Sequence, residues 1–93
     1  MQDADTDRLL RAILRDVLGL SAARAEALTD ASGLFGHLPE LDSMAVAGLL
    51  TAIEDRAHFT IEDDEIDGEM LETFGALKAF VAARRAPAPA PRA

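Results

Sequence analysis

The sequence predicts an all-α domain, a small bundle of three main helices with one or more short ones and a long first loop. Three observations carry this. Nearly half of the 93 residues are apolar, and many of those are alanine, a strong helix former. Apolar residues recur at three- and four-residue spacing in three segments. Between the first two, Gly33, Gly36 and Pro39 break any continuous helix. A chain of this length is one domain with a modest core.

The first segment places Leu9, Leu10, Ile13, Leu14, Val17 and Leu18 on one face, which predicts a helix over 6–18. Thr6 suits its N-cap, Asp5 and Asp7 suit the positive end of its dipole, and Gly19 suits its stop. Residues 19–42 form a long connection with a helical turn around 21–27. Its apolar residues Leu34, Phe35, Leu38 and Leu41 are expected to pin it to the core. A second helix is expected over 43–57, capped by Asp42 or Ser43, with Val46, Leu49, Leu50 and Ile53 buried. Met44, Ala47, Gly48 and Thr51 fall on its outer face. Phe59 and Ile61 alternate and are expected to plug the core. A short helical turn within 63–71 turns Ile66, Met70 and Leu71 inward. Thr73 caps a last helix over 74–84, built on Phe74, Leu77, Phe80 and Val81, with Arg84 and Arg85 at its negative end. Flanking this domain at 6–84, residues 1–5 read as a flexible N-terminus and 85–93 as a disordered Ala/Pro tail.

Charge narrows the function classes. The net charge is −8, and it is unevenly spread. Residues 54–72 hold nine acids against Arg56 alone, while the acids and bases of 1–24 balance. An acidic middle disfavours nucleic acid and anionic lipid and suits basic protein surfaces. No segment is apolar enough to span a membrane, and the N-terminus lacks the basic and apolar regions of a signal peptide, so a cytoplasmic monomer is expected. With no cysteine, the chain offers neither disulfide nor thiolate metal site, and any thiol chemistry needs a thiol from elsewhere.

Three chemical readings of the residues compete. Asp63, Glu65, Asp67 and Gly68 imitate the start of a calcium loop, but the twelfth position is Phe74 rather than glutamate. Ser43 as a hydrolase nucleophile lacks the Gly-x-Ser-x-Gly elbow, and only His37 or His58 is available as base. These two histidines, far apart and without cysteine, do not make a metal site, so none is expected. The third reading is an Asp-Ser pair at a loop-to-helix junction, where the serine stands exposed on a rigid base beside free backbone amides. That pair alone is also an ordinary helix cap, so a helical interaction domain without a prosthetic group stays open.

The wider pattern resembles the acyl carrier protein family over about residues 6–84. The family's Asp-Ser-Leu motif reads Asp42-Ser43-Met44. The apolar helix after it reads Val46 to Ile53, followed by Glu54-Asp55, the segment Phe59-Thr60-Ile61, the acidic run Glu62-Asp63-Asp64-Glu65-Ile66 and a helix from Thr73. The resemblance implies a non-catalytic carrier in lipid or fatty-acid biosynthesis. It implies a phosphoprotein whose Ser43 receives 4'-phosphopantetheine from coenzyme A through a phosphopantetheinyl transferase. Acyl groups then ride on the arm as thioesters. Asp42 would aid transferase recognition. Met44, Ala47, Glu54 and Asp55 would form the docking face for loading ligases or synthases and for acyl-accepting enzymes with basic patches. An aminoacyl carrier, D-alanyl or peptidyl, is the alternative. Leu41-Asp42-Ser43-Met44 is similar to D-alanyl carriers. Leu38-Pro39-Glu40-Leu41, with Asp63 to Glu69, is similar to the stand-alone carriers associated with exosortase and exopolysaccharide gene sets. Met44 in place of leucine, and the neutral Gly48 and Thr51, depart from the commonest family pattern.

Overall fold

A computed structural model describes residues 2–85, which hold four α-helices: α1 (Gln2–Leu18), α2 (Ala22–Ala27), α3 (Ser43–Ala57) and α4 (Phe74–Arg85). A single 3-10 turn, Asp63–Glu65, lies between α3 and α4. The last eight residues of the expected Ala/Pro tail lie outside the described residues.

Helix α1 is the hub, packing against α2, α3 and α4. Its apolar stripe works as the spacing predicts: Leu10, Ile13, Leu14 and Leu18 are buried with Leu49, Leu50 and Ile53 of α3 and Phe74, Leu77 and Val81 of α4. The helix starts at Gln2, so residues 2–5, set apart from the domain on sequence, are helical. Thr6 is therefore not the N-cap. It is 1% exposed inside α1, where its Oγ1 accepts a hydrogen bond from Arg85 (3.1 Å). A local capping pattern cannot reveal a partner 79 residues away.

Local signals place the other helix ends. Ser21 Oγ accepts from Arg24 N (3.1 Å) and opens α2; Thr73 Oγ1 accepts from Ala76 N (3.0 Å) and opens α4. His58 ends α3 in the left-handed region at φ 62°, its N–H donating to Glu54 O (3.0 Å). Gly48, in mid-α3, is not demanded by packing, since a Cβ there would meet only Val17 Cγ1 at 3.8 Å.

The long first loop is fastened by its backbone. Leu34 N donates to Glu72 O and Phe35 N to Leu71 O, while Phe74 N donates to Ser32 O and Gly75 N to Asp30 O, all at 2.8–3.0 Å. Loop carbonyls thus satisfy two of the orphan amides at the start of α4. Gly75 is required here, because a Cβ would lie 2.8 Å from Asp30 O and 3.1 Å from Asp30 Cα. Leu34 and Leu41 are buried as expected, but Phe35 is 44% exposed and Ile66 37% exposed. Both were expected to point inward. The pairing of 34–35 with 71–72 seats Leu34 in the core and turns its neighbour Phe35 out. The helical turn expected within 63–71 stops at Glu65, so Ile66 leaves it in extended backbone while Met70 and Leu71 fill the core.

A charged cluster ties α1 to α4. Asp7 accepts from Arg11 Nε (2.5 Å) and Lys78 Nζ (3.0 Å), and Lys78 also pairs with Asp30 (2.7 Å). The Arg11 guanidinium and Lys78 Nζ lie 4.9 and 5.3 Å from the ring centroid of Phe74. Arg11 also donates to Ala25 O (2.5 Å), holding α2 to α1. The Arg11 hydrogen bond, then Lys78, hold the Asp7 carboxyl below the usual aspartate range. A carboxyl that is more acidic folded than unfolded stabilises at neutral pH. That contribution is lost as pH falls from the ordinary carboxylate range through the folded value. The melting temperature is expected to drop on acidification through that range. Asp7→Asn should lower it at neutral pH and make the acid dependence shallower. An unchanged acid dependence in Asp7→Asn would show that the cluster does not contribute.

Candidate functional site

The site is the junction where the long loop meets α3. Asp42 is the N-cap of α3: its backbone is extended, its Oδ1 accepts from Ala45 N (2.8 Å), and its carbonyl accepts from Val46 N (3.0 Å). Ser43 is the first helical residue and is exposed. With Asp42 serving Ala45, the amides of Ser43 and Met44 remain at the helix start, where the dipole favours a negative group. The first turn of α3 carries no acid to occupy them.

The hydroxyl of Ser43 differs from those of the chain's other serines. Ser21 Oγ is committed to Arg24 N, and Ser32 Oγ accepts from Thr29 N (2.8 Å). Among the described residues, no protein hydrogen bond is made to Ser43 Oγ. His37 lines the loop-side hollow that also contains Asp42 and Ser43, but its ring lies over Gly33, in the space a side chain at 33 would take. Neither a hydrogen-bonded base nor an orienting acid reaches Ser43 Oγ among the described residues.

Two open hollows flank Ser43 and share Phe35 as a wall. One, of about 500 Å³, is formed by the loop from Phe35 to Ser43. The other, of about 350 Å³, lies between Phe35, Ser43, Val46, Ile66, Asp67, Gly68 and Leu71 and is mostly apolar. The loop under the first is braced from α2 by the guanidinium of Arg24, whose two terminal nitrogens donate to the two carboxylate oxygens of Glu40. That pairing holds Glu40 below the usual glutamate range. Hydrophobic pattern and capping chemistry do not signal such a brace, since both partners read as ordinary surface charges.

The residues read from sequence as a docking face separate into two kinds. Met44 is 86% exposed, and Ala47 and Asp55 are exposed. Glu54, by contrast, is half-buried and turned inward, with its Oε2 accepting from Ile61 N (2.7 Å). The acids that imitate a calcium loop also have other tasks. Glu65 accepts from Glu62 N (2.9 Å) and pairs with Arg84, and Asp67 accepts from Met70 N (3.0 Å). No cluster of three or more metal-ligating side chains occurs among the described residues. Nor is any described helix long and apolar enough to cross a membrane.

Comparison with family models and with curated protein sequences gave no match. Among solved structures, the chain is similar to the solution NMR structure of a holo acyl carrier protein from Nitrosomonas europaea. The two share 44% identity, the match covers 85% of this chain and 93% of that one, and the TM-score is 0.76.

Proposed function

Because the chain belongs to the acyl carrier protein family, we propose that it carries acyl groups as thioesters on a 4'-phosphopantetheine arm attached to Ser43 Oγ. The observation that supports Ser43 is its presentation. It is an exposed hydroxyl without a hydrogen-bond partner among the described residues, on the first turn of a rigid helix, with amides beside it for a phosphodiester and open hollows on either side. These residues fit the group. When bound, it supplies the thiol that this cysteine-free chain lacks. Ser43 Oγ is the acceptor atom: its proton leaves to a base on a separate transferase, and the pyrophosphate bond of coenzyme A breaks as the new O–P bond forms, releasing adenosine 3',5'-bisphosphate. Asp42 keeps the first turn of α3 wound, so that Oγ and the Ser43 and Met44 amides stay in one place. It also gives the transferase a carboxylate beside its target.

Partner enzymes, both those that load cargo and those that accept it, dock along the outer face of α3, which begins at Met44 and runs through Ala47 to Asp55. Glu54 lies inward of that face, its carboxylate taken by Ile61 N. The carrier domain takes in α1 through α4, residues 2–85. Its mean charge favours basic partner surfaces, and such contacts weaken with salt, as a carrier that must release its partners requires.

Incubation with coenzyme A, magnesium and a broad-specificity phosphopantetheinyl transferase tests this reading. One thiol per chain should appear in a protein that has none. Absence of a thiol with several transferases active on other carriers contradicts it. Asp42→Ala separates the two roles of that residue. Loss of the cap costs about 1 kcal/mol of stability, and loading should slow by more than that loss accounts for. If loading falls only in step with the fraction folded, Asp42 is a cap and nothing else.

A further inference from the structure

Lys78 is the chain's single side-chain amine, against eight arginines and no cysteine. It stands inside the cluster that ties α1 to α4. Its Nζ lies 2.7 Å from Asp30 Oδ1, 3.0 Å from Asp7 Oδ2 and 5.3 Å from the centroid of the Phe74 ring. Two carboxylates and one aromatic face thus surround an ammonium that has three N–H groups. The side chain is 20% exposed. The Asp30 hydrogen bond, then that of Asp7, hold its pKa above the ordinary lysine range. The hollow beside it, formed with Ala4, Asp7, Arg8, Arg11 and Glu26, shares no residue with the two hollows at Ser43. The exposed cations among the described residues, Arg8, Arg15, Arg24, Arg56 and Arg85, are all guanidinium groups.

Amines are a hazard to a chain that carries thioesters. A neutral amine attacks the thioester carbonyl: the C–N bond forms, the C–S bond breaks, and the thiol leaves with the proton that the amine gives up. The acyl group is then fixed as an amide and is lost as cargo. Only the unprotonated amine has the lone pair that this attack needs. A guanidinium stays protonated and does not take the acyl group. An exposed lysine would meet a thioester tethered to its own chain at an effective concentration on the order of millimolar. Fastening α1 to α4 explains the ion pairs of Lys78, but not why every exposed cation is arginine. We propose that this chain is built to resist acylation by its own cargo: its one side-chain amine is enclosed by Asp7, Asp30 and Phe74, and guanidinium groups supply the exposed positive charge. The shield rests on the carrier reading and deepens it.

The test reads acylation site by site in the full, unloaded chain, with the acetyl thioester of N-acetylcysteamine as probe at mildly alkaline pH. Arg15→Lys supplies an exposed reference amine on α1, where the native arginine makes no ion pair among the described residues. Cleavage at acidic residues followed by mass quantification reads both amines from one sample. The introduced amine should acetylate at least roughly tenfold faster than Lys78. In guanidinium chloride the two should react alike. Asp30→Asn, which removes the shorter ion pair, should speed acetylation of Lys78 severalfold, and Asp7→Asn should act in the same direction. Melting curves establish which of these variants are folded under assay conditions. Equal rates at the two amines of the folded chain overturn the shield. So does a difference that persists after unfolding, or one that folded Asp30→Asn and Asp7→Asn both leave unchanged. Once the chain is loaded with an acetyl thioester, acetyl should pass to the amine introduced by Arg15→Lys and not to Lys78 of the native chain. Acetyl collecting on both at the same rate overturns the shield and leaves the carrier reading intact. If the native chain gains no thiol at all, the carrier reading fails, and the proposed purpose of the shield with it.

Discussion

Ser43→Ala should abolish loading while leaving the fold as stable as the native chain. The two effects separate because of where the serine stands. It is exposed, its hydroxyl makes no protein hydrogen bond among the described residues, and Asp42 rather than Ser43 caps α3. Alanine is at least as good a helix former at that position. The stability change should stay within about 0.5 kcal/mol, as for surface substitutions away from special features, while thiol incorporation falls to nothing. Ser21→Ala and Ser32→Ala should behave in the opposite way. Each removes a hydroxyl that accepts from a backbone amide, so each costs stability by about 1 kcal/mol, yet both variants should load. Intact mass and urea unfolding on the same samples check both halves. Loading of Ser43→Ala at any substantial level would remove the residue from its proposed role.

The largest effect on stability is expected at Phe74. This side chain is fully buried, opens α4, and lies under both the Arg11 guanidinium and Lys78 Nζ. Phe74→Ala should cost about 3–5 kcal/mol from lost burial and the cavity left behind. The ring also gives the two cations an apolar floor, so its loss loosens the cluster that holds α1 to α4 and Asp30 to Lys78. Small domains have about 5–15 kcal/mol in all, so the variant should be largely unfolded at moderate urea, with a slope similar to that of the native chain. A loss below about 1 kcal/mol would mean that the bundle repacks freely around α4 and that the described core is wrong there.

Much of the site was legible because its signals are local. An Asp-Ser pair before an apolar helical stripe places the cap, the first turn and the exposed hydroxyl within five residues, and the structure has each of them. What escaped the sequence depends on partners far along the chain. Thr6 looks like a cap until Arg85 folds back onto it. Phe35 and Ile66 look like core residues by hydropathy. Their exposure follows from the pairing of 34–35 with 71–72 and from the end of the 3-10 turn at Glu65, neither of which has a periodic signature. Glu54 reads as a docking acid, but the amide of Ile61 is half-buried and takes its carboxylate. The Arg24–Glu40 brace joins two residues that pattern analysis treats as solvated. The helices were thus readable from periodicity, and the surface around Ser43 required the contacts that only the folded chain brings together.

The central claim is tested most directly by locating the modification within the loaded protein. The chain has three serines, Ser21, Ser32 and Ser43, and peptide fragmentation of the thiol-bearing product distinguishes them. The arm should be found on the peptide carrying Asp42-Ser43-Met44, at Ser43, with Ser21 and Ser32 unmodified. An arm on either of the other serines, or a native chain left unmodified by transferases that load other carriers, would contradict the account.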